Sequence, residues 1–292
     1  MRTNLRISAS LLTIVWGALS AAAQTPAPMT PVTPQTPAPA AQALPPAESQ
    51  PVIEPRADEQ LRKMAEFLRS KQAFRFRAFH DFDVIEEEGQ RLRMHREVHL
   101  QVARPDRIHG SARGYGGRSE YWYDGKQVAL LDAEDKTYSR VKAPPTIDDM
   151  LEEMSERYGL AVPTGDLLGA KVYETLVESV LNGRYIGRVE LEGRACHHLA
   201  FQQLSVDWQI WIADGPEPVP LQLVLDYHDQ PGAPQFQARF RDWDFNHKPD
   251  AKAFEFSPPP DCRETPLEPL ADDDDGSSPA QSNFVPQQGS NP

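Results

Sequence analysis

The chain lacks a basic excess, a membrane-length apolar run and any recognisable catalytic signature. Its formal charge of −13 over 292 residues argues against a nucleic-acid partner and disfavours anionic membrane surfaces. No G-x-S-x-G elbow, P-loop or H-E-x-x-H helix occurs, so an enzyme has no motif to rest on and no cofactor is expected. Cysteine is scarce, with Cys196 and Cys262 the only two.

What is present begins with Arg2 and Arg6, the apolar group Leu11, Leu12, Ile14, Val15 and Trp16, and the small residues Ala21, Ala22 and Ala23. This is the pattern of a signal peptide over residues 1–23, cut ahead of Gln24. The apolar stretch is about a dozen residues, short of the roughly 20 that a membrane-spanning helix needs. No cysteine follows it to carry a lipid, so the mature chain is expected to be a soluble periplasmic protein with no transmembrane segment. In that oxidising compartment Cys196 and Cys262 are a possible disulfide, whose role would be structural.

Residues 24–55 are mostly Pro, Ala, Thr and Gln and have too little apolar surface to offset their ordering entropy, so they read as a disordered linker. Residues 261–292 read as a disordered acidic tail. Its run from Asp272 to Asp275 is contiguous, whereas a calcium loop spaces its ligands around a turn. Between these arms, residues 56–260 are enough for one sizeable core.

Helical spacing of Leu61, Met64, Ala65 and Leu68 predicts an amphipathic helix over 57–71. The period then changes to two. Phe74, Phe76, Ala78, Phe82 and Val84 alternate with polar residues, and after Gly89 so do Leu92, Met94, Val98, Leu100 and Val102, predicting an antiparallel hairpin with one wet face. Short strands follow near Ile108, Tyr121, Val128 and Tyr138, with Asp124-Gly125 as a hairpin turn. Thr146 can cap a helix that Gly159 ends, and a third helix is expected from Pro163 to the Asn182-Gly183 stop. Five more strands are seen between Tyr185 and Phe245. About ten antiparallel strands and three amphipathic helices without strand–helix alternation predict an α+β, mainly β, fold: a strongly curved half-barrel sheet with helices plugging its concave face.

Candidate binding residues follow from that picture. Leu92, Val98, Trp208, Ile210, Leu223 and Phe240 are expected to line an apolar cavity, although each also suits an ordinary core. His197 and His198 are neighbours on a strand and point to opposite faces, so they cannot easily bind one ion together, even with His95 or His99 nearby, and no metal site is expected.

Several segments carry a resemblance to a known family. They are Arg104-Pro105-Asp106-Arg107, the run from Tyr121 to Lys126, Pro144-Pro145-Thr146-Ile147, Arg157-Tyr158-Gly159, the runs from His197 to Phe201 and Val206 to Ile212, and Pro234-Gln235-Phe236. Together they make the domain similar to a family of predicted periplasmic proteins called domain of unknown function 2092. That family is similar in fold to the lipoprotein carriers LolA and LolB. The resemblance implies a concave apolar face, closed by helices, that receives acyl chains, and it implies no enzyme activity. The expected function is a periplasmic carrier or binding protein for a lipid or acylated protein. The competing reading is an envelope scaffold or sensor whose helices fill the sheet completely and whose exposed strands and Pro-rich arm contact envelope proteins.

Overall fold

The computed structural model describes residues 52–270. The expected signal peptide, most of the expected linker and the aspartate run of the tail lie outside the described residues. The chain enters through strand β1 (Val52–Ile53) and helix α1 (Pro55–Arg69). Pro55 opens α1 at a position whose N–H has no helical partner to lose. Ala57, Leu61, Met64, Ala65 and Leu68 form its buried stripe, and Arg62 and Lys63 pair with Asp58 and Glu59 one turn back on the wet face.

Strands β2 (Ala73–Ile85) and β3 (Arg91–Ala103) form the expected long hairpin. Its register sets Phe74 beside Val102, Phe76 beside Leu100 and Ala78 beside Val98, so the even positions share one face. The meander continues through β4 (Arg107–Gly114), β5 (Gly117–Tyr123), β6 (Gln127–Asp132) and β7 (Thr137–Lys142). Helix α2 (Ile147–Tyr158) starts where Thr146 Oγ1 accepts the Asp149 N–H and stops at Gly159, whose φ of 65° suits a residue without Cβ.

The third helix departs from expectation. Instead of running from Pro163 to Asn182, it is reduced to a 3-10 turn (Gly165–Leu167) and the six-residue α3 (Val172–Val177). The reason lies on α2. Asp148 accepts the N–H groups of Ala170 and Lys171 at 2.9 and 3.0 Å and packs against Gly169, fixing a bend between the two pieces. Asn182-Gly183, expected to stop a helix, instead opens β8 (Asn182–Leu191).

Strands β9 (Arg194–Gln202), β10 (Asp207–Ala213), β11 (Pro220–Asp226) and β12 (Gln235–Asp244) complete the antiparallel set, and β13 (Arg263–Glu264) follows. All thirteen belong to one curved, open sheet in the order β1-β8-β9-β10-β11-β12-β2-β3-β4-β5-β6-β7-β13. The expected count of about ten falls short because β1 and β13 are two-residue edge strands, too short to show any period. Both pair in parallel, β1 with β8 and β13 with β7, so the sheet is antiparallel except at its edges. Order therefore extends past both expected domain boundaries, 56 and 260.

The helices pack on the concave face, where one core joins α1, α2, α3 and the inward residues of the strands. Phe245 still packs on Phe67 and Phe74 at the concave side, and from His247, which bonds Gln101, the chain up to residue 262 runs as a strap over the convex face to the β7 edge, with Phe256 against the rings of Trp122 and Tyr138. Ala129, Leu131 and Phe254 are buried outside the main core.

Arg104 ties the layers together. From the end of β3 its guanidinium donates to the carbonyls of Leu68 and Lys71 at the end of α1, and of Leu167 and Leu168 by the 3-10 turn. The Leu68 carbonyl also takes the Lys71 N–H at 3.1 Å, and Arg104 brings a charged donor to all four at the frayed ends of helix and turn. Burial pulls the Arg104 pKa down to about 10, partly offset by Asp148.

Candidate functional site

The concave face divides along the strand direction. At one end Phe74, Phe76, Ala78, Val98, Leu100, Val102 and Ile108 are all buried. Toward the tip of the β2–β3 hairpin the inward residues Phe82, Val84, Leu92 and Met94 remain partly exposed. The register sets Leu225, Phe236, Phe82 and Met94 side by side across β11, β12, β2 and β3. Of these Leu225 is partly open as well, and Phe236 is buried. The result is an apolar trough on the part of the face that the helices leave uncovered.

A polar step separates the trough from the packed end. In the next cross-strand row, Leu223 and Ala238 lead to His80 and Arg96. His80 sits edge-on to Phe236 at 5.0 Å, and its Nε2 is buried with no hydrogen-bond partner. Burial, then the Arg96 charge, push the His80 pKa down to about 4, although Asp81 opposes them, so the ring is neutral at pH 7. Arg96 is 6% exposed, and burial lowers its pKa against the attraction of Tyr121 and Asp132. Asp166, in the 3-10 turn, keeps open surface although protein crowds around it. Burial and Glu178 raise its pKa to about 6.

Of the six residues nominated as cavity lining, five belong to the dry core: Val98, Trp208, Ile210, Leu223 and Phe240. Trp208 stacks on Phe201 with ring centroids 4.0 Å apart, and Ile210 pairs with Leu223 between β10 and β11. Leu92 alone lies in the open trough. His80 and Arg96 were absent from the expected inner face, though strict alternation with Phe82 and Met94 puts both there. The signal was present in the parity and was obscured by their polarity.

The disulfide is not formed. Cys196 is buried on β9, near one edge of the sheet, and its thiol points to the Val189 carbonyl at 3.6 Å. Cys262 precedes β13 at the opposite edge, and both thiols are free. His197 bonds the Tyr185 hydroxyl and faces Asp214, while His198 stacks on Trp211 and bonds Gln209. The two imidazoles are thus engaged separately, and the described residues contain no group of three side chains that could hold a metal.

A second concavity of about 610 Å³ lies on the convex face, beside the β12 irregularity between Arg241 and Asp244. Its walls are closed polar pairs, Arg75 with Asp244 and Arg77 with Asp242.

Residues 57–267 match the model of a family described as a predicted periplasmic protein, DUF2092. No curated protein matches the sequence. Among solved structures, the chain is similar to the Mycobacterium tuberculosis lipoprotein LppX, with 11% identity, TM-score 0.44, and coverage of 68% of this chain and 99% of that one. Mycobacterium bovis LprF gives 12% identity and TM-score 0.40 over 72% of this chain and 99% of that one. A LolA superfamily protein from Nitrosomonas europaea gives 10% and 0.37 over 68% and 97%. No helix among the described residues is long and apolar enough to cross a membrane.

Proposed function

The chain belongs to the DUF2092 family, and from that premise we propose that it is a non-catalytic periplasmic binding or carrier protein for a lipid-like or acylated ligand. The observation that carries the reading is the open half of the concave face, where Phe82, Val84, Leu92 and Met94 point inward and remain partly exposed. Apolar surface left in water at about 25 cal/mol per Å² is a standing incentive for an acyl chain to cover it. Binding is by burial, with no bond made or broken. The packed half behind His80 and Arg96 acts as the floor that limits how deep the chain inserts.

Export supplies the setting. We take residues 1–23 as a signal peptide and residues 24–55 as a linker, which sets the domain in the periplasm. The scaffold reading draws on the dry packing of Trp208, Ile210, Leu223 and Phe240, which fills much of the sheet. The two part company in one experiment. Titration with a fluorescent fatty acid gives saturable binding that Met94→Glu abolishes if the trough is the site, whereas a scaffold gives no saturable binding.

A further inference from the structure

The cross-strand row at the inner end of the trough is polar where its neighbours are apolar. Along β2 the inward residues run Phe76, Ala78, His80, Phe82, Val84, and along β3 Leu100, Val98, Arg96, Met94, Leu92, with His80 set directly against Arg96. This pair is the one break in the two apolar series. Apolar residues here would let the core run unbroken into the trough, so the break points to a task other than packing.

The His80 ring is partly exposed, but its Nε2 is buried with no hydrogen-bond partner among the described residues. A buried nitrogen of that kind is costly until protein, water or a ligand completes it. Arg96 beside it places a guanidinium charge where only 6% of the residue meets solvent. Asp132 attracts that charge, yet its own Oδ1 is taken by the Glu134 and Asp135 N–H groups of the following turn. From His80 to Val84 the strand advances about 14 Å, the run of a medium-length alkyl chain. A ligand entering tail first would lay its methyl end on the unpartnered nitrogen and carry the guanidinium further from water. One entering head first, with a carboxylate at its inner end, relieves both.

We infer that the trough takes a free fatty acid head inward, its carboxylate accepting hydrogen bonds from Arg96 and His80 Nε2 and its alkyl chain lying outward over Phe82, Met94, Val84 and Leu92. This rests on the trough being the binding site and adds which end of the ligand is recognised. The neutral imidazole, with a pKa of about 4, can carry its one proton on Nε2 and donate it. One carboxylate then stands against one guanidinium in a site shielded from water, where a charge-assisted hydrogen bond is strongest. An ester-linked acyl chain has no anion to offer this row, which narrows the ligand class to the free acid.

Displacement of a fatty acid that carries its fluorophore at the methyl end tests this on the full mature chain, with laurate, methyl laurate and dodecanol as competitors. Laurate is expected to compete at least about tenfold more tightly than its ester or the alcohol. Arg96→Met is expected to abolish that preference by weakening laurate and leaving the ester unchanged, and His80→Phe to reduce it. Far-ultraviolet circular dichroism checks that each variant is folded, and His80→Phe carries the test if Arg96→Met does not fold. An ester or alcohol that competes as well as laurate, or a preference that survives undiminished in the folded variants, overturns the inference and leaves the carrier reading standing. A probe that never binds saturably overturns both.

Discussion

The two ends of the concave face are built from the same strands and the same kinds of side chain, and they differ in what covers them. At the packed end Phe240 is 0% exposed under the helices, while at the hairpin end Leu92 and Met94 meet solvent from the same face. Between the two stand His80 and Arg96. The lesson is that one alternating pattern can supply both a core and an open apolar surface, depending on what covers it.

The contrast can be broken from the packed side first. Phe240→Ala leaves a cavity with nothing to collapse into it and is expected to cost about 4 kcal/mol in urea unfolding. Arg104→Met removes a charged donor from four carbonyls, of which Leu68 keeps the Lys71 N–H, and is expected to cost about 3 kcal/mol, with hydrogen exchange rising at the end of α1 and around Leu167.

Acid sharpens the middle of the comparison. His80 is held neutral with a pKa near 4 against a usual 6.5, so the unfolded chain binds its proton first. The stability tied to the neutral ring is present above pH 6.5, declines as the pH falls, and is fully lost below about pH 4, up to about 3 kcal/mol. His80→Phe, which keeps the ring and removes the proton site, flattens that part of the pH–stability curve. Asp166, whose pKa rises to about 6, works in the opposite direction across pH 4 to 6, and Asp166→Asn isolates the His80 slope.

The smallest stability effect falls at the open end. Leu92→Ala removes apolar surface that is already partly wet and is expected to cost less than about 1 kcal/mol. It is nevertheless expected to weaken fatty-acid binding, whereas Phe240→Ala, if folded, changes binding little. A loss of binding in Phe240→Ala with none in Leu92→Ala would move the site into the core.

Much of this architecture was legible from periodicity. The hairpin of Phe74 to Val102, the Thr146 cap, the Gly159 stop and the turns at Gly89 and Gly125 all follow local rules that the fold respects. What escaped the sequence depends on contacts between distant residues. The third helix failed because Asp148, on another helix, takes the Ala170 and Lys171 N–H groups. The β1 and β13 edges are too short for a pattern, and the strap across the convex face has no sequence period. The inward residues were read only in direction: parity sets which face they take, but which of them the helices bury is a matter of helix length and placement. That is why Trp208, Ile210 and Leu223 were nominated with Leu92 although they share the dry core.

The measurement that bears most directly on the proposed function is native mass spectrometry of the mature protein purified from the periplasm, followed by solvent extraction of what it carries. The expected result is a stoichiometric acyl-containing ligand that is lost in Met94→Glu while the fold is kept. A protein that emerges empty and takes up no added fatty acid would contradict the carrier reading and leave the scaffold account in its place.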